Sequence, residues 1–227
     1  MATFDTTLVA GFGPATYGMR LPLKSHHRAD SDLEIGPSDI GDGSPIIQFH
    51  FGDNDYDLAK RLWKAGTEHR KWMRQVVVWV KITAPRFWWS EWDTYRIGTS
   101  ANSESTMHTI TKRSLLLEDF ELPSQFINDT QKLATFTEYI AFINTLIEEY
   151  NQIEEMNNHK RQLFQSIKAM LPESFLQARE VCLNYEVLAT MYKQRKNHRL
   201  PQWNQDFVNW VKTLPYSEFI TGEFDKE

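Results

Sequence analysis

Two cations in the C-terminal half stand where they can hold an anion. Lys168 lies four residues before Pro172. Asn184, Leu188, Met191 and Arg195 recur at helical spacing, because the eleven residues from Asn184 to Arg195 close almost three turns. A charge that shares a face with core residues needs a partner, since an unpaired buried charge is costly. Lys168 and Arg195 can converge on one phosphate or stand as unrelated surface cations, and spacing leaves both open. A second region with chemical content runs from Ile97 to Thr106, IGTSANSEST, dense in hydroxyls and placed after Trp88, Trp89 and Trp92. A polar loop on an aromatic anchor suits the gripping of a phosphate or a planar ring; it equally suits a plain connection that caps the next element. Lys60, Arg61, Lys64, Arg70, Lys71 and Arg74 form a basic run, either a solvated face or a phosphate contact.

The elements that must position these groups follow from periodicity. Val76 to Val80 reads as a buried strand, ended by Ala84-Pro85, and a helix from about Pro85 to Tyr95 delivers Arg96 into the polar loop. Leu133, Phe136, Ile140, Ile143, Ile147 and Tyr150 predict a long amphipathic helix within Gln131 to Glu155. A second helix runs to Leu171-Pro172, a third spans about Glu173 to Lys196, and a last one carries Trp203, Phe207, Trp210, Val211 and Leu214. Upstream, a helix begins after Asp53 to Asp57, with Leu58, Leu62 and Ala65 as its stripe, and Gly66 ends it; a short helical segment covers Glu68 to Gln75.

Residues 1–54 hold seven of the ten glycines and read as loops and short strands with little helix, Pro45 to Phe51 being the best strand. Gly11-Phe-Gly-Pro lacks the register and the following helix of a dinucleotide fingerprint. Arg20, Lys24, His26, His27 and Arg28 read as a solvated basic loop, and Asp30 to Glu34 as a mobile connector. Strands early and helices late make an α+β fold. One domain over 1–227 is the expectation, and calorimetry should give a single unfolding transition once dissociation of an oligomer is excluded.

Composition narrows the function classes. A net charge of -5 and a pI near 5.8 argue against a duplex nucleic-acid partner. No apolar run approaches a membrane span and no leader pattern opens the chain, so the expected setting is the cytoplasm, without a membrane partner. The single cysteine, Cys182, excludes an internal disulfide and a cysteine-based metal cluster, and it reads as a buried structural thiol within a helical pattern. The adjacent histidines make a poor metal pair, and no metal is expected.

The same residues carry a resemblance. VWVKITAPRFWWSEWDTYR, from Val78 to Arg96, is similar to the flavin-dependent thymidylate synthases, whose strand ends H-V-K-x-P-I-F and whose next helix leads into an Arg-His-Arg signature. The eleven residues from Pro85 to Arg96 match that family's interval from its proline to its last arginine. The family's R-x-x-L-P, then an asparagine, a leucine and an arginine, match Lys168, Leu171, Pro172, Asn184, Leu188 and Arg195 without a gap, and Pro201-Gln202-Trp203 resembles its Ala-Gln-Trp. The similarity covers residues 54–212, the family-like region being taken as 55–227 after a loop- and strand-rich N-terminal part. Thr94 and Tyr95 replace the first arginine and the histidine of the signature, Glu91 stands for a glutamine, Met107 and Glu186 fall at arginine positions, and Lys168 replaces an arginine. Gly18-Met19-Arg20 resembles a loop of a phage and prophage branch, which would place the protein in a host cytoplasm.

The resemblance implies a nucleotide contacted by Glu91, Arg96, Ser105, Lys168 and Arg195, and FAD contacted by Thr94, Tyr95, Arg96 and Asn184. It assigns no catalytic residue. The implied activity is methylation of dUMP or a related pyrimidine nucleotide, with reduced flavin, methylene-tetrahydrofolate and NADPH, in a homotetramer. The alternative is an inactive protein on the same fold that binds or sequesters a nucleotide.

Overall fold

The β-branched run after Val76 becomes strand, and the proline that closes it hands the chain to a helix. In a computed structural model, which describes residues 1–36 and 46–224, the N-terminal elements are β1 (Thr3–Ala10), α1 (Phe12–Arg20), β2 (Asp32–Gly36), β3 (Ile46–His50) and α2 (Asp53–Lys64). Next come β4 (Val77–Pro85), α3 (Arg86–Trp92), β5 (Thr99–Ser103), α4 (Thr106–Thr109), α5 (Ser124–Ile127), α6 (Thr130–Gln152) and α7 (Asn158–Met170). The chain ends with β6 (Leu176–Asn184), α8 (Tyr185–Arg195), a π-helical segment Gln202–Phe207, α9 (Val208–Lys212) and α10 (Glu218–Thr221). One sheet has the strand order β1-β4-β6-β5; β2 and β3 form a separate antiparallel pair with Leu33 opposite Phe49. Small sheets and many helices make the fold α+β. Among the described residues, no helix is long and apolar enough to cross a membrane.

The chain divides into two compact units, each made of three segments. The first contains Met1–Thr3, Lys81–Thr94 and Ala101–Glu180. Its core gathers Ile110, Leu115, Phe120, Ile140, Ile143, Ile147, Ile167 and Leu171, so the apolar stripe of α6 is used as its spacing predicts. Asn144 ties a loop to that helix by accepting from the Leu115 N–H at 2.7 Å and donating to the Leu115 carbonyl at 3.0 Å. Trp88, Trp89 and Trp92 on α3 are buried against one another. The first N–H groups of α3, at Arg86 and Phe87, find the carbonyls of Phe175 and Glu173 just past Pro172.

The second unit contains Phe4–Val80, Tyr95–Ser100 and Val181–Glu227. Phe12, Phe51, Trp72, Tyr185, Tyr216 and Phe219 meet edge to face in its core. Gly11 makes the turn into α1 with φ 103°, and a Cβ there would sit 2.1 Å from the Gln75 carbonyl oxygen, so only glycine fits.

Several sequence expectations change here. Residues Glu173 to Asn184 are not the start of a helix: Leu176–Asn184 is strand β6, and α8 begins only at Tyr185. Gln177, Ala178, Arg179 and Glu180 are good helix formers, but tertiary pairing overrides them. The Glu104 N–H donates to the Ala178 carbonyl at 2.9 Å, and Trp89 Nε1 donates to the Gln177 carbonyl at 2.9 Å. Cys182 therefore sits half-buried on a strand, where burial raises its thiol pKa and keeps it protonated. Part of the polar loop is strand β5, and the segment Glu68 to Gln75 keeps only a 3-10 turn at Lys71–Arg74.

The N-terminal part departs most. A nine-residue helix, α1, follows Gly11, and Gly18-Met19-Arg20 is its last turn rather than a loop. Arg20 is not solvated: its Nε lies 2.6 Å from Asp55 Oδ1, with side chains 5% and 0% exposed. Asp30 to Glu34 is no mobile connector either. The Asp30 carboxylate accepts the N–H groups of Asn54 and Asp55 at the start of α2, and the Asp55 carboxylate accepts those of Asp30 and Ser31. This is a capping exchange between distant segments, and it requires Gly52, where a Cβ would meet Asp30 at 2.3 Å. Of the predicted strand Pro45 to Phe51, Ile46–His50 is formed, and Pro45 lies outside the described residues.

Candidate functional site

Within the first unit, the end of α7 brings Lys168 to the start of α4. The Lys168 amine donates to the Thr106 hydroxyl, beside the predicted Ser105. Burial, and after it the like charge of Arg86, lowers the pKa of Lys168 from the usual 10.5. Arg86 begins α3, donates to the Leu171 carbonyl at 3.4 Å and lies 3.3 Å from the Glu173 carboxylate. A desolvated amine near a second cation, held by a hydroxyl, is an environment that an anion would relieve. Ser105 occupies the N-cap position of α4 and is half-buried, while its carbonyl accepts from His108 and Thr109. Glu91 is half-buried on α3; the Thr94 hydroxyl donates to the Glu91 carbonyl at 2.7 Å, and Met107 is exposed.

Within the second unit, the end of α8 brings Arg195 to Tyr95. Arg195 Nε donates to the Tyr95 hydroxyl at 2.8 Å, and that hydroxyl donates to Gln194 Oε1 at 2.8 Å. The guanidinium also lies over the rings of Trp203, 4.7 Å from its centroid, and Tyr95, at 5.5 Å. Leu188 and Met191 are buried on α8, so the predicted apolar face is real from α8 onward. Asn184 is the N-cap of that helix and not part of its interior: its Oδ1 accepts the Val187 N–H at 3.0 Å. The turn after the exposed Arg96 passes over this cap at Gly98, φ 76°, where a Cβ would meet Val187 at 2.9 Å. The Thr99 hydroxyl donates to the Tyr95 carbonyl, and Ser100 is exposed.

Sequence reasoning missed Arg86, and it included Thr106 only as the last residue of the polar loop. Arg86 had a signal, because it replaces the apolar residue after the proline in the pattern the chain resembles. Glu186 has an answer nearby: Arg70 Nε stands 2.8 Å from its carboxylate, and Arg70 Nη2 donates to it at 3.0 Å. Part of the basic run is thus spent on an internal ion pair.

No protein-family model and no curated protein matches the chain. Solved structures do. A crystal structure of Helicobacter pylori flavin-dependent thymidylate synthase, with FAD and dUMP, matches with a TM-score of 0.69 at 15% identity over 96% of each chain. A second, of the same enzyme with the same ligands, matches with a TM-score of 0.60 at 15% identity over 96% of this chain and 97% of that one. The fold is that of flavin-dependent thymidylate synthase. On this thymidylate synthase fold, the positions that the resemblance gives to flavin are largely committed inward. The Thr94 hydroxyl, the Tyr95 hydroxyl and the Asn184 amide oxygen have internal partners, and Glu186 places a carboxylate where the pattern has an arginine. Within the second unit, the partnered Tyr95 hydroxyl and Asn184 amide oxygen and the Glu186 carboxylate fit the diphosphate of a flavin dinucleotide poorly, whereas the exposed Arg96 guanidinium fits it.

Proposed function

We propose that this protein binds a pyrimidine nucleotide, dUMP or a close relative, through its phosphate. The observation that carries the reading is Lys168, a half-buried amine facing the Arg86 charge and joined to a hydroxyl instead of a carboxylate. Arg195, oriented by Tyr95 and Trp203, is the second cation of the reading, and Ser105, Arg96 and Glu91 complete the proposed nucleotide contacts. The presence of dUMP and FAD in the Helicobacter pylori structures supports a pyrimidine nucleotide as the ligand class. Methylation of that nucleotide with reduced flavin, folate and NADPH is the activity the resemblance implies. The narrower reading, a nucleotide binder without flavin chemistry, is favoured by one observation: Glu186 is locked to Arg70 where a flavin-contacting cation is expected. A homotetramer in the cytoplasm is the assembly and setting that go with either reading, and light scattering should return a mass well above the 26.7 kDa of one chain.

Two measurements test this. Titration calorimetry with dUMP should show binding, and failure of dUMP and every other mononucleotide to bind removes the reading. The visible spectrum separates its two forms: a yellow protein, or one that turns yellow and stays so after incubation with FAD and dialysis, supports the synthase, and a colourless one the binder.

A pH dependence follows from Lys168. Its pKa is lowered, so the charged form is lost at a lower pH than for an ordinary lysine. Nucleotide affinity should fall as pH rises towards 10.5, with the midpoint below that value. Affinity unchanged across that alkaline window, in a protein shown to stay folded, would mean that Lys168 does not hold the phosphate.

A further inference from the structure

Three residues that line one cavity beside α1 each carry a buried polar atom without a hydrogen-bond partner: Thr16 Oγ1, Arg20 Nη2 and His26 Nε2. Thr16 and Arg20 are each only 4% exposed. The cavity measures about 380 Å³ and its remaining wall is mostly apolar, from Gly13, Ala29, Leu33 and Phe49. Small-molecule pockets have this form, an apolar body with a few convergent polar groups. Buried polar groups that the chain leaves unanswered are costly, and three on the lining of one cavity, the Arg20 guanidinium a donor and the Thr16 hydroxyl able to donate, point to a partner supplied from outside.

Charge and shape narrow the ligand. Arg20 already answers Asp55 at 2.6 Å, and Asp32 lines the same cavity, so one cation stands against two carboxylates. An anion would enter a site with no surplus positive charge, whereas a neutral carbonyl oxygen can accept from the Thr16 hydroxyl and the unused guanidinium edge without that repulsion. The apolar side chains of Leu33 and Phe49 in its wall suit a ring rather than a chain of polar groups. A second cavity of about 550 Å³ shares Gly13, Leu33 and Phe49 with the first and leaves room for a substituent. We propose that the Thr16–Arg20–His26 cavity binds a small, neutral, planar ring compound through a carbonyl oxygen. This site is separate from the proposed phosphate contacts, since neither Lys168, Arg195, Arg96 nor Ser105 lines it.

Nicotinamide and nicotinate, one ring with a neutral amide or a carboxylate, are the probes. Saturation-transfer NMR on the full chain should show nicotinamide binding, with nicotinate at least fivefold weaker. Thr16→Val should weaken nicotinamide about fivefold to tenfold, the loss of one hydrogen bond. Gly13→Leu provides a second variant, because a Cβ at Gly13 meets nothing within 4 Å and the longer side chain can fill the cavity. It should weaken nicotinamide more than tenfold with no loss of thermal stability. Lys168→Ala and Arg195→Ala should leave nicotinamide binding unchanged, so a failed phosphate assignment and a failed cavity assignment give different results. The proposal is overturned if nicotinamide does not bind, if nicotinate binds more tightly, or if folded Gly13→Leu binds nicotinamide as wild type does.

Discussion

Asp55→Ala should lower the free energy of unfolding by about 3 to 5 kcal/mol, the usual result of removing one partner of a buried ion pair. The substitution leaves the Arg20 guanidinium charged and 5% exposed with its carboxylate gone. It also removes the acceptor for the Asp30 and Ser31 N–H groups, and so undoes half of the exchange that seats the start of α2. Urea denaturation at fixed protein concentration measures the loss. A change below about 1 kcal/mol would mean that the pair is solvated. Replacing both partners with apolar residues of similar volume, as in Arg20→Met with Asp55→Leu, should recover part of the loss, because the stranded charge is the larger cost. The same carboxylate sets an acid limit. Burial alone would raise the Asp55 pKa, but the Ser31 hydroxyl, the two N–H groups and Arg20 outweigh it and hold it below 3.8. Its contribution is therefore complete above the unfolded-state value and is lost as pH falls through the lowered folded-state value. Asp119, held low against burial by Arg113 and the Leu116 N–H, acts in the same direction.

Lys168→Ala and Arg195→Ala should each weaken nucleotide binding tenfold to a hundredfold, which corresponds to about 1.5 to 3 kcal/mol for a charge-assisted contact. The two variants differ in what else they disturb. Removing Lys168 takes away a desolvated charge near Arg86, so folding stability should hold or rise slightly. Removing Arg195 takes away a cation packed on Trp203 and a donor to Tyr95, so a small loss of stability accompanies the loss of affinity. Arg195→Lys should rescue little, because an ammonium neither stacks nor forks as a guanidinium does. If both alanine variants, folded and assembled as wild type, bind dUMP unchanged, the phosphate assignment is wrong.

How far these sites could be read in advance depended on the kind of contact. The α6 stripe was legible because Ile140, Ile143 and Ile147 obey one local period and are buried together. The strand at Val77–Pro85 was legible too, since β-branched residues and a closing proline act locally. Strand β6 was not, because its residues favour helix and only pairing with distant backbone makes them a strand. Lys168 and Arg195 could be named from spacing, whereas their partners Thr106 and Trp203 required the folded chain. Arg20 and Asp55, thirty-five residues apart, left no local trace of their pairing. A basic cluster read as a solvated loop and an acidic one read as the start of a helix gave no sign that a member of each is buried against the other.

Arg195 also bears on how quickly and how selectively an anion would be captured. A free arginine side chain carries about 2 kcal/mol of rotamer freedom, and immobilising it ordinarily subtracts from affinity. Here the Tyr95 hydroxyl fixes Nε, and the rings of Trp203 and Tyr95 limit the tilt of the guanidinium plane. Most of that ordering has taken place during folding. An oxyanion arriving at this proposed contact would meet a donor whose direction is already set, so geometry at this residue would select among ligands before charge alone could.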